Sequence, residues 1–234
     1  MHRLKAAIPH LFTLGNLALG CAAIKLSFEG HYTQAAYCVF IAAILDFFDG
    51  FLARLLKVHS ELGKQLDSLA DMVTFGIAPG FFIYKMMGCT CDLSYAFLFI
   101  PIFSAIRLAK FNIDTRQSTT FIGVPTPAVA LTVACMLLIY VSKEQTILNN
   151  LLHNKESLAV ISILLSILLV SPFEMLALKF KNYDFKSNWA KYILIICAIL
   201  LIVLFKISGG VYLFIVYVLL SLIVNFVAPN NKEE

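Results

Sequence analysis

The run Asp46-Phe-Phe-Asp49-Gly50-Phe-Leu-Ala53-Arg54, then eight residues, Gly63, three residues, Asp67, three residues and Asp71 places four aspartates in one short part of the chain. Their surroundings are apolar, and a charged residue at the centre of a membrane helix costs roughly 2.5–3.5 kcal/mol on insertion scales. Four carboxylates that converge there need a counter-charge. One or two hard divalent cations, which prefer oxygen ligands, supply it most directly. The run therefore reads as a site on membrane helices, and as a site for phosphate chemistry.

Outward from this run the chain is 234 residues long, 60% apolar and only 14% charged, which puts it in the membrane class. About 20 apolar residues suffice to cross a bilayer. Eight such stretches are expected, at about 8–27, 33–56, 66–87, 94–113, 123–142, 157–175, 189–206 and 208–228. The fold class is thus all-α, a polytopic helix bundle. Arg3 and Lys5 before the first stretch imitate a signal peptide, but a convincing small-residue cleavage site is lacking. Thr13 and Asn16 also interrupt its apolar core, so it reads as a retained helix.

With the N-terminus inside and eight alternating helices, 13 of the 18 Lys and Arg residues fall at or near the cytoplasmic face. The outer side keeps Lys25, Lys85, Lys143, Lys155 and Lys206. The positive-inside rule favours this orientation, which puts the aspartates near the inner leaflet and open to the cytosol. The expected location is the cell (inner) membrane. A net charge of +4 fits an anionic membrane surface and gives no reason to invoke nucleic acid.

No polar stretch is long enough to hold a soluble domain, and neither a repeat nor a low-complexity tract is found. Residues 1–234 read as one membrane catalytic domain, with site helices over about 8–130 and scaffold helices over about 157–228. Four of the six cysteines lie within spans as small apolar residues; Cys89 and Cys91 share a short outer loop with no histidine partner, a weak metal signal. Gly76 and Gly80 permit a close helix approach, within one subunit or across a dimer, and Pro79 should kink the third helix. Glu174, beside Pro172, is expected near the cytoplasmic end of the sixth helix, where snorkelling accounts for it. The five histidines show no ligand spacing, and no Ser/His/Asp arrangement assembles.

Positions 46, 49, 50, 53 and 54 follow the i, i+3, i+4, i+7, i+8 pattern and form one helix stripe. From Asp46 to Arg54 the rise is about 12 Å at 1.5 Å per residue, so the acids are sunk below the surface. Gly63, Asp67 and Asp71 form the matching stripe on the next helix. A short connection around 57–62 predicts that the two helices are antiparallel neighbours with stripes face to face. Four carboxylates so placed can bridge two Mg²⁺ or Mn²⁺ ions and a pyrophosphate. Gly50, Ala53 and Gly63 remove bulk where a nucleotide approaches, Arg54 offers a planar cation, and one carboxylate can serve as general base. A cation or proton pathway is the competing reading, but it does not explain the Gly, Ala and Arg companions.

The string D-x-x-D-G-x-x-A-R-x8-G-x3-D-x3-D is identified as the signature of the CDP-alcohol phosphatidyltransferase family, and all eight positions match. The resemblance implies an integral membrane enzyme, typically a homodimer, in which an acceptor hydroxyl displaces CMP from a CDP-linked lipid or alcohol. It implies that Asp46, Asp49 and Asp67 hold one metal and that Asp46, Asp67 and Asp71 hold a second. Gly50, Ala53, Arg54 and Gly63 would cradle the cytidine diphosphate, with Thr13 and Asn16 near the nucleotide. Asp71 would take the acceptor's proton.

Flanking segments resemble the phosphatidylserine synthase branch: Ile8–Asn16, Asp71–Gly80, Arg107–Asn112 and Phe121–Pro127, with His10 where that branch has Asn. The resemblance implies transfer of the phosphatidyl group from CDP-diacylglycerol to the hydroxyl of L-serine. A serine acceptor needs a cation for its carboxylate, and Arg107, Lys110, Asn112 and Thr74 are the residues expected around it. Arg107 and Lys110 would equally suit the phosphate of glycerol 3-phosphate or inositol phosphate, and a different CDP-lipid, such as an ether-linked one, would also fit. No residue of the cluster reads as a covalent nucleophile, so one direct displacement through a ternary complex is expected.

Overall fold

A computed structural model describes residues 2–58, 60–88, 92–114, 121–142, 146–176 and 185–227; the side chains of 2–6, 121, 185–187 and 227 lie outside the description. Cys89, Cys91 and the basic residues Arg116, Lys143, Lys179, Lys181 and Lys232 also lie outside the described residues. The protein is a polytopic helical bundle. In chain order it runs α1 (His2–Phe28), α2 (Tyr32–Leu55), α3 (Glu61–Asp71), a π-helical turn (Met72–Ile77), α4 (Ala78–Met87), a 3₁₀ segment (Asp92–Leu98) and α5 (Phe99–Ile113). Then follow β1 (Phe121–Ile122), α6 (Thr126–Tyr140), α7 (Ile147–Leu152), α8 (Lys155–Val170), β2 (Glu174–Met175), α9 (Phe185–Phe205) and α10 (Ser208–Val227).

Six helical stretches are long and apolar enough to cross a membrane: Ala7–Phe28, Tyr32–Leu55, Glu61–Met87, Asp92–Ile113, Asn188–Phe205 and Ser208–Phe226. The fifth and sixth expected spans are helical but shorter, with 15 residues in α6 and 16 in α8. At 1.5 Å per residue these reach only about 22–24 Å, short of a hydrocarbon core of about 30 Å. Proline and glycine set these limits. Gly123 has φ of +75°, and a Cβ there would collide with the Leu169 carbonyl oxygen, so the chain enters α6 through a turn that glycine permits. Pro172 follows the end of α8 and cannot continue it.

Glu174 is consequently not in a helix. It pairs through β2 with β1, Ile122 opposite Glu174, and its carbonyl accepts a hydrogen bond from Asn225 of α10. The third span is also less regular than expected. Its irregularity is the π-turn Met72–Ile77, immediately before Ala78 and Pro79. Gly76 packs against Ser104, and Gly80 against Pro101 and the Phe97 carbonyl, so both small residues serve a crossing with α5 and its 3₁₀ lead-in.

α1 is the central packing element of the first half. It lies along α2 and also contacts α3, the π-turn and α4. Small residues make this possible: Ala23 on α1 and Ala35, Ala36 and Ala42 on α2 are fully buried. Gly20 lets Thr74 of the π-turn approach so closely that a Cβ would overlap its hydroxyl. The expectation that α2 and α3 pack as close neighbours is corrected here, because their backbones barely touch. Both lean on α1, and the space between them is a cleft. Mutual repulsion of the aspartates and the small residues at 50, 53 and 63 account for that separation.

Candidate active site

The cleft has a volume of about 890 Å³ and is lined by Thr13, Asp49, Gly50, Ala53, Arg54, Gly63 and Asp67, together with His10, Ser60, Glu61, Lys64 and Phe111. Oxygens of Asp46, Asp49 and Asp67 lie within 4.8 Å of one another at this site. Residues 18 or more positions apart are thus brought together from α2 and α3, as the two stripes require. Asp71 sits one helical turn past Asp67, and its carboxyl contacts that of Asp46. This set of hard oxygen donors fits a divalent cation, and carboxyls so close to each other call for one.

α1 holds the carboxylates in place. The Thr13 hydroxyl donates to Asp49 Oδ2 at 2.7 Å, and the Asn16 amide donates to Asp71 Oδ1 at 3.4 Å. Asn16 is in turn fixed by Thr74, whose hydroxyl donates to the Asn16 carbonyl at 3.1 Å. Thr13 therefore faces the cleft, whereas Asn16 is fully buried and reaches only the second acid. The N-terminus of α3 is set by Ser60, whose hydroxyl accepts from the Gly63 N–H at 3.0 Å.

Arg54 is exposed, and its Nε donates to the Gly50 carbonyl at 2.9 Å, leaving the terminal nitrogens at the cleft mouth. Gly50 is a revealing position. A Cβ built there meets nothing within 4 Å, so packing does not demand glycine. Gly50→Val is expected to leave the melting temperature nearly unchanged, as for a surface substitution. The same change is expected to lower affinity for a nucleotide in the cleft by about tenfold or more through steric exclusion. Thermal denaturation and ligand titration on one preparation check both halves.

The residues expected around the acceptor are dispersed. Arg107 is 8% exposed, donates through a terminal nitrogen to Thr126 Oγ1 at 3.2 Å, and interacts electrostatically with Asp71. Its Nε has no partner among the described residues. Thr74 is spent on Asn16, Lys110 is exposed, and Asn112 ties α5 to α3. In that tie the Asn112 amide donates to Ser68 at 2.8 Å and its carbonyl accepts from Lys64 at 2.9 Å. Tyr217 of α10 also interacts electrostatically with Arg107, so the second half of the chain reaches this neighbourhood. Nothing in sequence spacing announces Ser60, Lys64 or Tyr217 as neighbours of the site.

This constellation on a helical bundle defines a phosphotransfer enzyme of the membrane. A family model for CDP-alcohol phosphatidyltransferases matches residues 6–170, and the chain belongs to that family. It is similar to the CDP-diacylglycerol–serine O-phosphatidyltransferase of Bacillus subtilis, with 39% identity over 127 residues, covering 51% of this chain and 69% of the relative. The enzyme of the same name from Helicobacter pylori (strain J99) is 42% identical over 136 residues, which is 56% of this chain and 57% of that protein. An archaetidylserine synthase of Methanothermobacter thermautotrophicus is 30% identical over 175 residues, 72% of this chain and 69% of its own length.

Proposed function

We propose that the protein is a phosphatidylserine synthase, transferring the phosphatidyl group of CDP-diacylglycerol to the hydroxyl of L-serine with release of CMP. The observation that carries this reading is the gathering of Asp46, Asp49 and Asp67 within 4.8 Å at a cleft lined by Gly50, Ala53, Arg54 and Gly63. The serine-specific names of the relatives support the choice of acceptor.

In this proposal Asp46, Asp49 and Asp67 hold one divalent ion, Mg²⁺ or Mn²⁺, and Asp46, Asp67 and Asp71 hold a second. Bound there, the ions would neutralise charge on the diphosphate and on the departing CMP. Gly50, Ala53 and Gly63 leave room for the nucleotide, and Arg54 engages its phosphate oxygens. Thr13 and Asn16 keep Asp49 and Asp71 aimed. Asp71 accepts the proton of the serine hydroxyl as its oxygen bonds to the phosphatidyl phosphorus. The bridging P–O bond breaks, and CMP leaves with the electron pair.

Arg107 binds the serine carboxylate. A buried guanidinium with an unused donor beside the base is suited to an anionic group. The acyl chains remain in the bilayer. An apolar groove of about 810 Å³ between α2, α6, α9 and α10 begins at Pro125 and Pro127, flanking the Thr126 that holds Arg107, and offers them a path. The N-terminus and the site face the cytoplasm of the cell membrane, and the working unit is a homodimer. Since Gly76 and Gly80 are occupied within the chain, the second copy would use another face.

Purified protein supplied with CDP-diacylglycerol and, in turn, serine, glycerol 3-phosphate and inositol phosphate tests the reading. CMP release with serine alone is expected, and product with glycerol 3-phosphate but not serine would refute it. Arg107→Ala is expected to raise the KM for serine by about tenfold or more, the size of one lost charge-assisted contact, with a much smaller change for CDP-diacylglycerol. Equal effects on the two substrates would argue against a carboxylate role.

A further inference from the structure

His10 lies at the cleft with no part in the chemistry above. It is half-buried, lines the cavity, and its Nε2 is 3.4 Å from the Ser60 hydroxyl. The same nitrogen would be 3.0 Å from a Cβ on Gly63, so the imidazole fills the space that this glycine leaves open. The Ser60 oxygen already accepts from the Gly63 N–H. Its own proton is free to go to His10 Nε2, an arrangement that leaves the ring proton on Nδ1.

The height of His10 decides what it can meet. Thr13, three residues further along α1, bonds Asp49 at the level of the acid cluster. His10 is therefore about 4.5 Å nearer the cytoplasmic mouth. A diphosphate held at the acids carries its nucleoside outward to that level. Around the ring stand Glu61 and Lys64 of α3 and Arg54 of α2.

We infer that His10 is a nucleoside-binding residue, its ring N–H donating to an acceptor oxygen or nitrogen of the ribose or the pyrimidine edge, with Ser60 as the residue that positions the ring. The inference rests on the proposed use of the cleft for a cytidine nucleotide. It adds the selectivity contact that the aspartates and Arg54, which see only phosphate, do not provide.

The test is calorimetric titration of the purified full-length protein, in Mn²⁺, with CMP, UMP and pyrophosphate. His10→Ala should weaken CMP by about three- to tenfold, the range for one neutral hydrogen bond, and leave pyrophosphate unchanged. His10→Gln, which keeps an N–H donor, should recover part of the loss, and Ser60→Ala should show a smaller loss of the same kind. A loss confined to CMP assigns the contact to the base edge; one shared by CMP and UMP assigns it to the ribose. Unchanged CMP binding in His10→Ala, or an equal loss for CMP and pyrophosphate, overturns the inference while the phosphatidyltransferase reading stands. Wild-type protein that binds neither CMP nor pyrophosphate overturns both.

Discussion

Asp71→Asn is expected to lower CMP release by about a hundred- to ten-thousandfold, the contribution of a positioned general base. Asparagine keeps the shape of the side chain and can still accept from the Asn16 amide, so the packing of α1 against the π-turn should survive. What it loses is the capacity to take a proton. Binding of CDP-diacylglycerol should remain measurable, because Asp46, Asp49 and Asp67 already form a compact group without Asp71. Equilibrium binding of the CDP-lipid alongside single-turnover CMP release separates the two effects. If binding and turnover fell together, Asp71 would be chiefly a holder of the ion, and the base would have to be sought elsewhere.

Chelation of divalent cations should bring turnover of the wild-type protein down to background, with recovery on adding Mg²⁺ or Mn²⁺. Asp46→Asn should produce the same loss, and added metal should not reverse it. Asp46 is the acid at the centre of the arrangement, grouped with Asp49 and Asp67 and in contact with Asp71. Its replacement removes a ligand from both proposed ions, and with the ions goes the attraction for a diphosphate. CMP titration in the presence of Mn²⁺ gives the direct measurement, with loss of detectable binding as the expected result. Retained metal-dependent binding in Asp46→Asn would place the ions differently.

The acid cluster and its small companions were legible in the sequence because they are periodic. Residues spaced by three and four on a helix share a face whatever surrounds them, so two stripes could be drawn before any packing was known. Helix positions were legible for the same reason, since long apolar runs have few alternatives in a bilayer. Contacts between helices were not. The link from Thr13 to Asp49 spans 36 positions, and that from Asn16 to Asp71 spans 55. Helical periodicity carries no information over such distances. A short loop made α2 and α3 look like packed neighbours, yet loop length bounds only how far apart two ends can be, and α1 takes up the contact.

The acceptor residues show the limit most clearly. Arg107 and Lys110 are three positions apart and look equivalent as charges in a string. Folding separates them: Arg107 is buried against Thr126 and Phe111, and Lys110 is exposed. Asn112 looked like a ligand and is a clasp between α5 and α3. Glu174 looked helical because apolar residues precede it, but Pro172 had already ended the helix.

The wide turn at Met72–Ile77 constrains how this chain can vary. It accommodates more residues than a regular helix would over the same rise, so deleting one would let the segment relax into an ordinary spiral. Everything beyond Ile77 would then swing by about 100° around the helix axis. Phe82 and Ile83, now wholly enclosed, would turn out toward the lipid, and Gly76 and Gly80 would lose their footing on α5. Chimeras spliced from related chains should therefore keep this stretch intact, with their junctions placed in the loops on either side.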